Sequence, residues 1–367
     1  MHGKSVWVMA KGYLPDEGGM QTYSRAVAEA YAALGAAVTV FTRTSAGPRD
    51  TRIGPVRVVD VGPKRGLLMH LRIARALRAE RRKHGIPLLV HGSTWKTSIV
   101  PMALGLPFVT TFHGREMYRA KGWKLKLLTR IARRAQRVVT VSHYTAEELG
   151  KRIPGLRRPP VVAWNGVTAG LERSAGRGME PPLVFTVCRM EPRKNLRAAI
   201  EAAAACRREG LDFRYVLAGR GEELEALRAL VARHALGDVV ELAGFIEQGR
   251  AVQLYRDADV FMHPQVNLEG GRDFEGFGIA VADAMYARTA VIAGRDGGVR
   301  ELMEDGVSGL LVDGHDQAAV TAALRRLLAD PALRHSLAEA AALRAEREFR
   351  WERHVGIILA GLSDAAR

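Results

Sequence analysis

The stretch DVFMHPQVNLEGGRDFEGFGIAVADAMYARTAVIAG, residues 259–294, holds a complete strand–loop–helix–strand unit. Its two ends, 259–264 and 289–294, are short apolar runs of the kind that form strands buried on both faces. Between them, 277–287 reads as a helix entered through glycines. Two strands joined by a crossover helix pair in parallel, and helices cover the sheet. The connecting segment carries Glu275 directly before Gly-Phe-Gly, and Asp283 follows eight positions later. Glycine disfavours a helix and a buried acid is costly, so residues of this kind in one short segment suggest a chemical task.

Working outward, the same alternation runs along the chain. Towards the N-terminus, apolar runs at 5–10, 37–42, 56–61, 87–91, 107–112 and 137–142 read as strands, with helical segments at 22–35, 67–83 and 123–136. Strands at 183–188, 213–219, 239–244, 259–264, 289–294 and 308–312 form a second series, with helices near 195–208, 222–235, 249–257, 277–287 and 297–304. The expected architecture is two tandem, doubly wound, Rossmann-like α/β domains. The Gly- and Pro-rich segment 159–182 is the joint. The boundaries expected are 1–165, 166–345, and a C-terminal helical segment 346–367, broken near Trp351, that packs back on the first domain. Ligands of such sheets lie beyond the carboxyl ends of the strands, so two facing domains would enclose an interdomain cleft.

The chain has 367 residues, 47% of them apolar, and no apolar run approaches the ~20 residues that span a bilayer. Its start reads as a strand and loop rather than a secretion signal, which suggests a cytoplasmic protein. Cys188 and Cys206 have no metal-ligand spacing and read as small apolar residues. The net charge of +16 is unevenly spread: residues 1–165 hold 29 Lys and Arg against 9 Asp and Glu, a balance of +20, and the remainder is at −4. The basic half suits a polyanionic partner: anionic lipid, nucleic acid or a phosphorylated substrate.

Several segments at strand ends carry chemistry. In DEGGMQTYS (16–24), Gly18 and Gly19 open the first helix and let main-chain N–H groups approach an anion; a loop that only needs positive φ would use the same residues. In VCRMEPRKN (187–195), Arg189 and Lys194 follow a strand, where two cations suit a diphosphate; solvated surface charges are the alternative. His113 ends the strand 107–112, where an imidazole can bond a sugar hydroxyl or serve as a structural residue. In EGFG, the amides of Gly276, Phe277 and Gly278 at a helix start can face a phosphate. Glu275 then stands beside the reacting group, and Asp283, two helical turns on, can accept two ribose hydroxyls.

These segments, together with VSHYTAEEL (141–149), NGV (165–167), GFI (244–246), GGVRELMEDGVSGLLV (297–312) and FRWERH (349–354), follow the order found in one family. The chain resembles the retaining glycosyltransferases of family four (group 1), which have the GT-B fold. The resemblance runs from residue 18 to about 354, with one departure: the family's second Glu is Asp283 here. It implies an N-terminal acceptor domain and a C-terminal nucleotide-sugar domain. It implies that Gly18 and Gly19 border the diphosphate or acceptor, that His113 contacts the donor sugar, and that Arg189 and Lys194 neutralise the leaving group. Phe245 and Ile246 would lie beside the nucleobase, Glu275 and the amides of Gly276 to Gly278 would hold the sugar and β-phosphate, and Asp283 the ribose. The donor would be a UDP- or GDP-hexose, mannosyl or glucosyl, and the acceptor a lipid-linked saccharide or polysaccharide precursor.

No metal or other cofactor is expected: cations and amides can stabilise the departing diphosphate, and the one Asp-x-Asp, at 257–259, leads into an apolar strand. The basic segments 64–85 and 119–137 have apolar stripes, with Trp123, Leu127, Leu128, Ile131 and Ala135 expected on one face of the second. Such faces cover a sheet, or attach peripherally to an anionic membrane. Rival readings are a nucleotide-sugar epimerase on the same fold, a nucleic-acid-binding protein, which leaves Glu275 and Asp283 unexplained, and a non-catalytic nucleotide-sugar binder.

Overall fold

In the computed structural model, which describes residues 2–16, 18–63, 66–168, 170–171 and 180–363, the chain divides into two units. One comprises Met1–Gly166 with Arg350–Arg367, the other Val167–Phe349. The first unit has strands β1 (Ser5–Met9), β2 (Ala37–Thr42), β3 (Arg49–Ile53), β4 (Val56–Asp60), β5 (Leu89–Gly92), β6 (Phe108–Phe112), β7 (Arg137–Thr140) and β8 (Val161–Val162). They form one sheet in the order β3-β4-β2-β1-β5-β6-β7-β8. Helices α1 (Gly19–Ala33), α2 (Gly66–His84), α3 (Ile99–Ala103), α4 (Trp123–Arg134) and α5 (His143–Arg152) lie between strands. Valines of β1, β2 and β4 and Tyr31 of α1 are buried in its core.

Strand β3 is absent from the sequence reading because Arg-Asp-Thr-Arg-Ile carries no apolar alternation. It pairs antiparallel with β4 at the sheet edge, where charge is tolerated and blunts the exposed ladder. Arg57 of β4 bonds Asp50 of β3 (2.7 and 2.9 Å) and both oxygens of Glu80 on α2 (2.8 Å each). The order of the sheet reverses at β1, which lies between β2 and β5, so the loops after β2, β1, β5 and β6 leave side by side at its carboxyl edge.

The second unit has β9 (Leu183–Val187), β10 (Arg214–Ala218), β11 (Val240–Gly244), β12 (Val260–His263), β13 (Ala290–Gly294) and β14 (Leu310–Val312), all parallel, in the order β11-β10-β9-β12-β13-β14. Helices α6 (Leu196–Arg208), α7 (Leu224–Arg233), α8 (Gln248–Asp257), α9 (Ile279–Tyr286), α10 (Gln317–Ala329) and α11 (Pro331–Glu348) complete it. Its order reverses between β9 and β12. The helix expected at 297–304 is a short 3₁₀ turn, Gly297–Glu301. The ends of this unit meet: the Val167 N–H donates to the Phe349 carbonyl at 3.1 Å.

Helix α11 stops at Glu348, and α12 (Trp351–Ser363) belongs to the first unit, where it packs against α1. A buried polar network fixes it there. The Tyr23 hydroxyl of α1 lies 3.1 Å from His354 Nε2, 3.1 Å from His91 Nε2 and 2.9 Å from Thr111 Oγ1. The Trp164 carbonyl can only accept, so His354 Nδ1, 3.0 Å away, carries the proton, and its Nε2 accepts from Tyr23. His354 is therefore neutral, and burial lowers its pKa to about 4. Sheet residue His91, buried beside it, is also held well below its usual value.

Both histidines take up protons when the chain unfolds, so acid favours the unfolded state. Stability of the first unit should be fully present above about pH 6.5 and decline towards pH 4, with up to about 3 kcal/mol of that loss belonging to His354. Urea unfolding at a series of pH values should show the decline, and His354→Gln should flatten part of it. An unchanged slope in that variant would place the acid sensitivity elsewhere.

Candidate functional site

The loops after β9 and β12 leave the second sheet at the point where its order reverses, and they are bound together by main-chain contacts. After β9 the chain makes a 3₁₀ turn, Pro192–Lys194, and Asn195 then adopts a left-handed conformation (φ 53°). The Asn195 amide donates to the Pro264 carbonyl (3.0 Å) beyond β12 and to the Gly314 carbonyl (2.7 Å) beyond β14. The Val266 N–H donates to the Arg193 carbonyl at 3.0 Å. These bonds hold Arg193 and Lys194 as buried cations at the sheet edge.

Glu275 reaches the same place from the other side. The chain between β12 and Glu275 folds back on itself, with Leu268 and Asp273 exchanging main-chain hydrogen bonds of 2.9 and 3.2 Å. The Gly298 N–H then donates to the Glu275 carbonyl at 2.8 Å. Helix α9 begins at Ile279, two residues later than the sequence suggests, because Gly278 sits before it at φ 88°. A Cβ there would lie 2.9 Å from the Val299 side chain, so both backbone and space require glycine. Gly276 and Gly278 are buried beside Phe277, whose ring packs edge-on against Phe349.

The Glu275 carboxylate, 17% exposed, lies 2.7 Å from Arg193 Nη1 and contacts Lys194 Nζ. His263 Nε2 is 3.7 Å away. Burial alone would raise the pKa of Glu275, but Lys194 and Arg193 outweigh it and hold the acid well below its usual range. His263 is driven to about 4 by burial, and Lys194 pushes in the same direction, so it is neutral. Arg193, with a 5% exposed side chain, also lies 3.3 Å from Asp273 and 3.9 Å from Glu191. The result is a dense constellation of cations and acids, in which Lys194 is a compact ammonium and Arg193 a planar fork.

Sequence reasoning selected Arg189, Lys194 and Glu275; the structure brings the last two together and adds Arg193, which that reading did not single out. Arg189 points outward, 64% exposed, and pairs with Glu191 at 2.5 Å. Asp283 has a structural partner that the sequence does not reveal. Both of its oxygens are engaged by Thr168: the N–H at 2.7 Å and the hydroxyl at 2.8 Å. It is buried, and desolvation raises its pKa to about 7 against the lowering effect of those two bonds. In this arrangement Asp283 anchors the start of the second unit to α9, with one bond accepted by each oxygen.

Phe245, at the end of β11, is 48% exposed with the Arg220 guanidinium 4.6 Å above its ring, while Ile246 is half-buried. In the first unit, Gly18 (φ 141°) precedes α1, and Gly19 begins it. His113 lies at the end of β6, with Nε2–H donating to the Ser93 carbonyl (2.7 Å) and its ring against the edge of Tyr23. Burial lowers its pKa, so its Nδ1 is a neutral acceptor. Asp259 of the Asp-x-Asp accepts from the Leu183 N–H at 3.0 Å, a structural task.

Residues 171–344 match the model of the glycosyl transferases group 1, and residues 17–171 that of glycosyltransferase family 4. Over 95% of its length the chain is 32% identical to a D-inositol 3-phosphate glycosyltransferase of Acidothermus cellulolyticus, 86% of which is covered. The chain belongs to glycosyltransferase family 4. Among solved structures, this family-4 glycosyltransferase resembles the sucrose-phosphate synthase of Thermosynechococcus elongatus, with a TM-score of 0.79 and 23% identity over the whole of both chains. It also resembles Anabaena HepE in complex with UDP and glucose, with a TM-score of 0.76 and 19% identity over 99% of this chain and all of that one. These likenesses are of fold: two Rossmann-like units of the GT-B type.

Arg193→Ala would leave buried acids short of a cation and should destabilise the family-4 glycosyltransferase by about 3–5 kcal/mol, whereas loss of the exposed Arg189 pair should cost about 0–1 kcal/mol. Thr168→Val should cost about 1–3 kcal/mol by removing a bond to Asp283. Because the folded pKa of Asp283 is raised, its burial opposes folding increasingly as pH rises from about 4 through 7. Asp283→Asn should remove that trend. Denaturant titrations of the four proteins measure each value, and equal losses for Arg189 and Arg193 would contradict the assignment.

Proposed function

We propose that the protein is a metal-independent, retaining hexosyltransferase. It would move a mannosyl or glucosyl group from a UDP- or GDP-sugar to a hydroxyl of a lipid-linked saccharide or polysaccharide precursor. The observation that carries this reading is the contact of Lys194 and Arg193 with one carboxylate, Glu275, at the reversal point of the second sheet. Glycosyl transfer develops negative charge on the departing diphosphate, and donors positioned in advance for that charge lower the barrier. An entering diphosphate would draw the Lys194 ammonium to its oxygens, while Arg193 keeps the Glu275 charge balanced. Glu275, freed from Lys194, would accept from sugar hydroxyls and favour the positive charge that grows on the ring. The exposed Phe245, under Arg220, offers a flat face for the nucleobase. His113, with a neutral Nδ1, would accept from a sugar hydroxyl. UDP-glucose, which HepE also binds, is the first donor to test.

A membrane-proximal setting fits the first unit. Leu67, Leu68 and Leu71 are exposed on α2, ahead of its string of arginines. Trp123, expected in an apolar face with Leu128 and Ile131, instead stands 69% exposed at the start of α4, with Lys124 over its ring. The buried residues of α4 are Leu128, Ile131 and Ala132, all past its first turn. Exposed apolar side chains among cations suit the interface of an anionic bilayer. Among the described residues no helix is long and apolar enough to cross a membrane, so attachment would be peripheral.

A thermal-shift panel of UDP, GDP and their hexose conjugates should raise the midpoint with one nucleotide series. With that donor, Lys194→Ala and Glu275→Ala should each reduce turnover by at least ~100-fold, the scale of losing a transition-state donor. Near-normal turnover in both variants would remove the assignment, and product analysis separates transfer from epimerisation. Co-sedimentation with phosphatidylglycerol vesicles, weakened by salt, tests the membrane setting.

A further inference from the structure

We propose that Tyr23 is a positioning residue for His113: its ring seats the imidazole with Nδ1 turned to accept from the donor sugar. The inference rests on the transferase reading for the task of His113; the seat itself rests on the geometry around Tyr23.

Tyr23 comes from the segment 16–24, His113 from the end of β6, and Trp351 and His354 from the segment 349–354, so stretches far apart in the sequence meet at one ring. The ring centroids of Tyr23 and His113 are 4.6 Å apart, with the planes at 87°. Aromatic rings prefer this arrangement, so the contact has a direction as well as an area. Direction matters for an imidazole, because the last torsion of a histidine side chain is broad and nearly twofold. Turning the ring over would put a carbon in the place of Nδ1 and would take Nε2–H away from the Ser93 carbonyl, to which it donates at 2.7 Å. The His113 main-chain N–H donates to Glu116 at 2.6 Å, which fixes the backbone but not that torsion. The Tyr23 ring supplies the lateral restraint.

Tyr23 is itself held more firmly than a core side chain requires. Its ring is buried, with the rings of His354 (5.5 Å), Trp351 (5.7 Å) and His91 (6.1 Å) around it. A buried phenol needs one partner for its hydroxyl. This one has three within 3.1 Å: His354 Nε2, His91 Nε2 and Thr111 Oγ1. His354 takes the single phenolic proton, so the Tyr23 oxygen accepts from the Thr111 hydroxyl or from His91. His91 Nδ1 in turn lies 3.1 Å from the Tyr31 hydroxyl. Elements α1, β5, β6 and α12 thus all contribute to fixing one ring. A supporting shell of this kind keeps a functional side chain in its working geometry, and a displacement of about 1 Å can cost about a hundredfold in rate.

The whole chain, isotope-labelled in its histidines, tests the seat. Long-range proton–nitrogen correlation spectra read the tautomer of each ring, and the signals lost in His113→Gln identify His113. Wild type and Tyr23→Phe, which keeps the ring, should show His113 with its proton on Nε2 alone, and Tyr23→Leu should show both tautomers. With the donor found by thermal shift, Tyr23→Leu should lower kcat by roughly tenfold to a hundredfold with little change in the donor KM. Tyr23→Phe should keep a kcat close to wild type. Urea midpoints should fall in both variants, because both leave His354 Nε2 without its donor. A purely structural role for Tyr23 would instead give rates that follow the midpoints. Should Tyr23→Leu fail to fold, Tyr23→Met, which fills more of the space, gives the same readouts. A single His113 tautomer in the variant without the ring, a wild-type kcat there, or equal rate losses with and without the ring would overturn the proposal. In a chain that transfers no hexose, mixed tautomers in Tyr23→Leu alone would leave the seat standing and remove the transferase reading.

Discussion

A carboxylate with little access to water remains ionised only when cations stand against it, and in this protein that carboxylate is Glu275. Removing a charge from water costs several kcal/mol even after relaxation, and Arg193 and Lys194 offset the loss. The local architecture serves this balance. The left-handed Asn195 spans to the carbonyls beyond β12 and β14, which fixes the turn carrying both cations. The Leu268–Asp273 fold-back and the Gly298 N–H fix the acid. Such a cluster is strongly held, because Glu275 has two cations and loss of either contact would still leave it one partner.

The two units treat charge in opposite ways. In the second, cations at the sheet edge are spent on acids within hydrogen-bond reach, and the unit carries a slight negative balance. In the first, acids at the loop bases bond hydroxyls and amides, and among the described residues the side chains of Lys11, Arg43 and Lys96 make no hydrogen bond to an acid. The same fold rule, that loops gather at the carboxyl edge, thus produces a self-neutralised edge in one sheet and an electropositive one in the other.

The sheets and most helices were legible in the sequence because parallel strands buried on both faces are uninterrupted apolar runs. Strand β8 and helices α3, α5 and α10 were passed over. Two other exceptions have physical reasons: strand β3 is polar because it lies at an edge, and the 297–304 segment tightens to a 3₁₀ turn where two glycines pack beside Glu275. At the site, the spacing of Glu275, Gly278 and Lys194 was readable. The burial of Arg193 was not, because it depends on which way a short turn faces each side chain; the sequence signal was only that Arg193 immediately precedes Lys194. Asp283 shows a different limit. Its helical position suggests a free ligand, but its partner, Thr168, is 115 residues away in sequence.

The return of α12 to the first unit has a consequence for biosynthesis. Tyr23 emerges from the ribosome early, while the imidazole it bonds, His354, emerges 331 residues later. The second unit, whose ends are joined by the Val167–Phe349 bond, is a closed insertion that can fold during translation. The earlier-made half must wait with its α12-facing surface uncovered until α12 is released. A premature stop codon just before Trp351 would therefore damage the part of the protein that was made first.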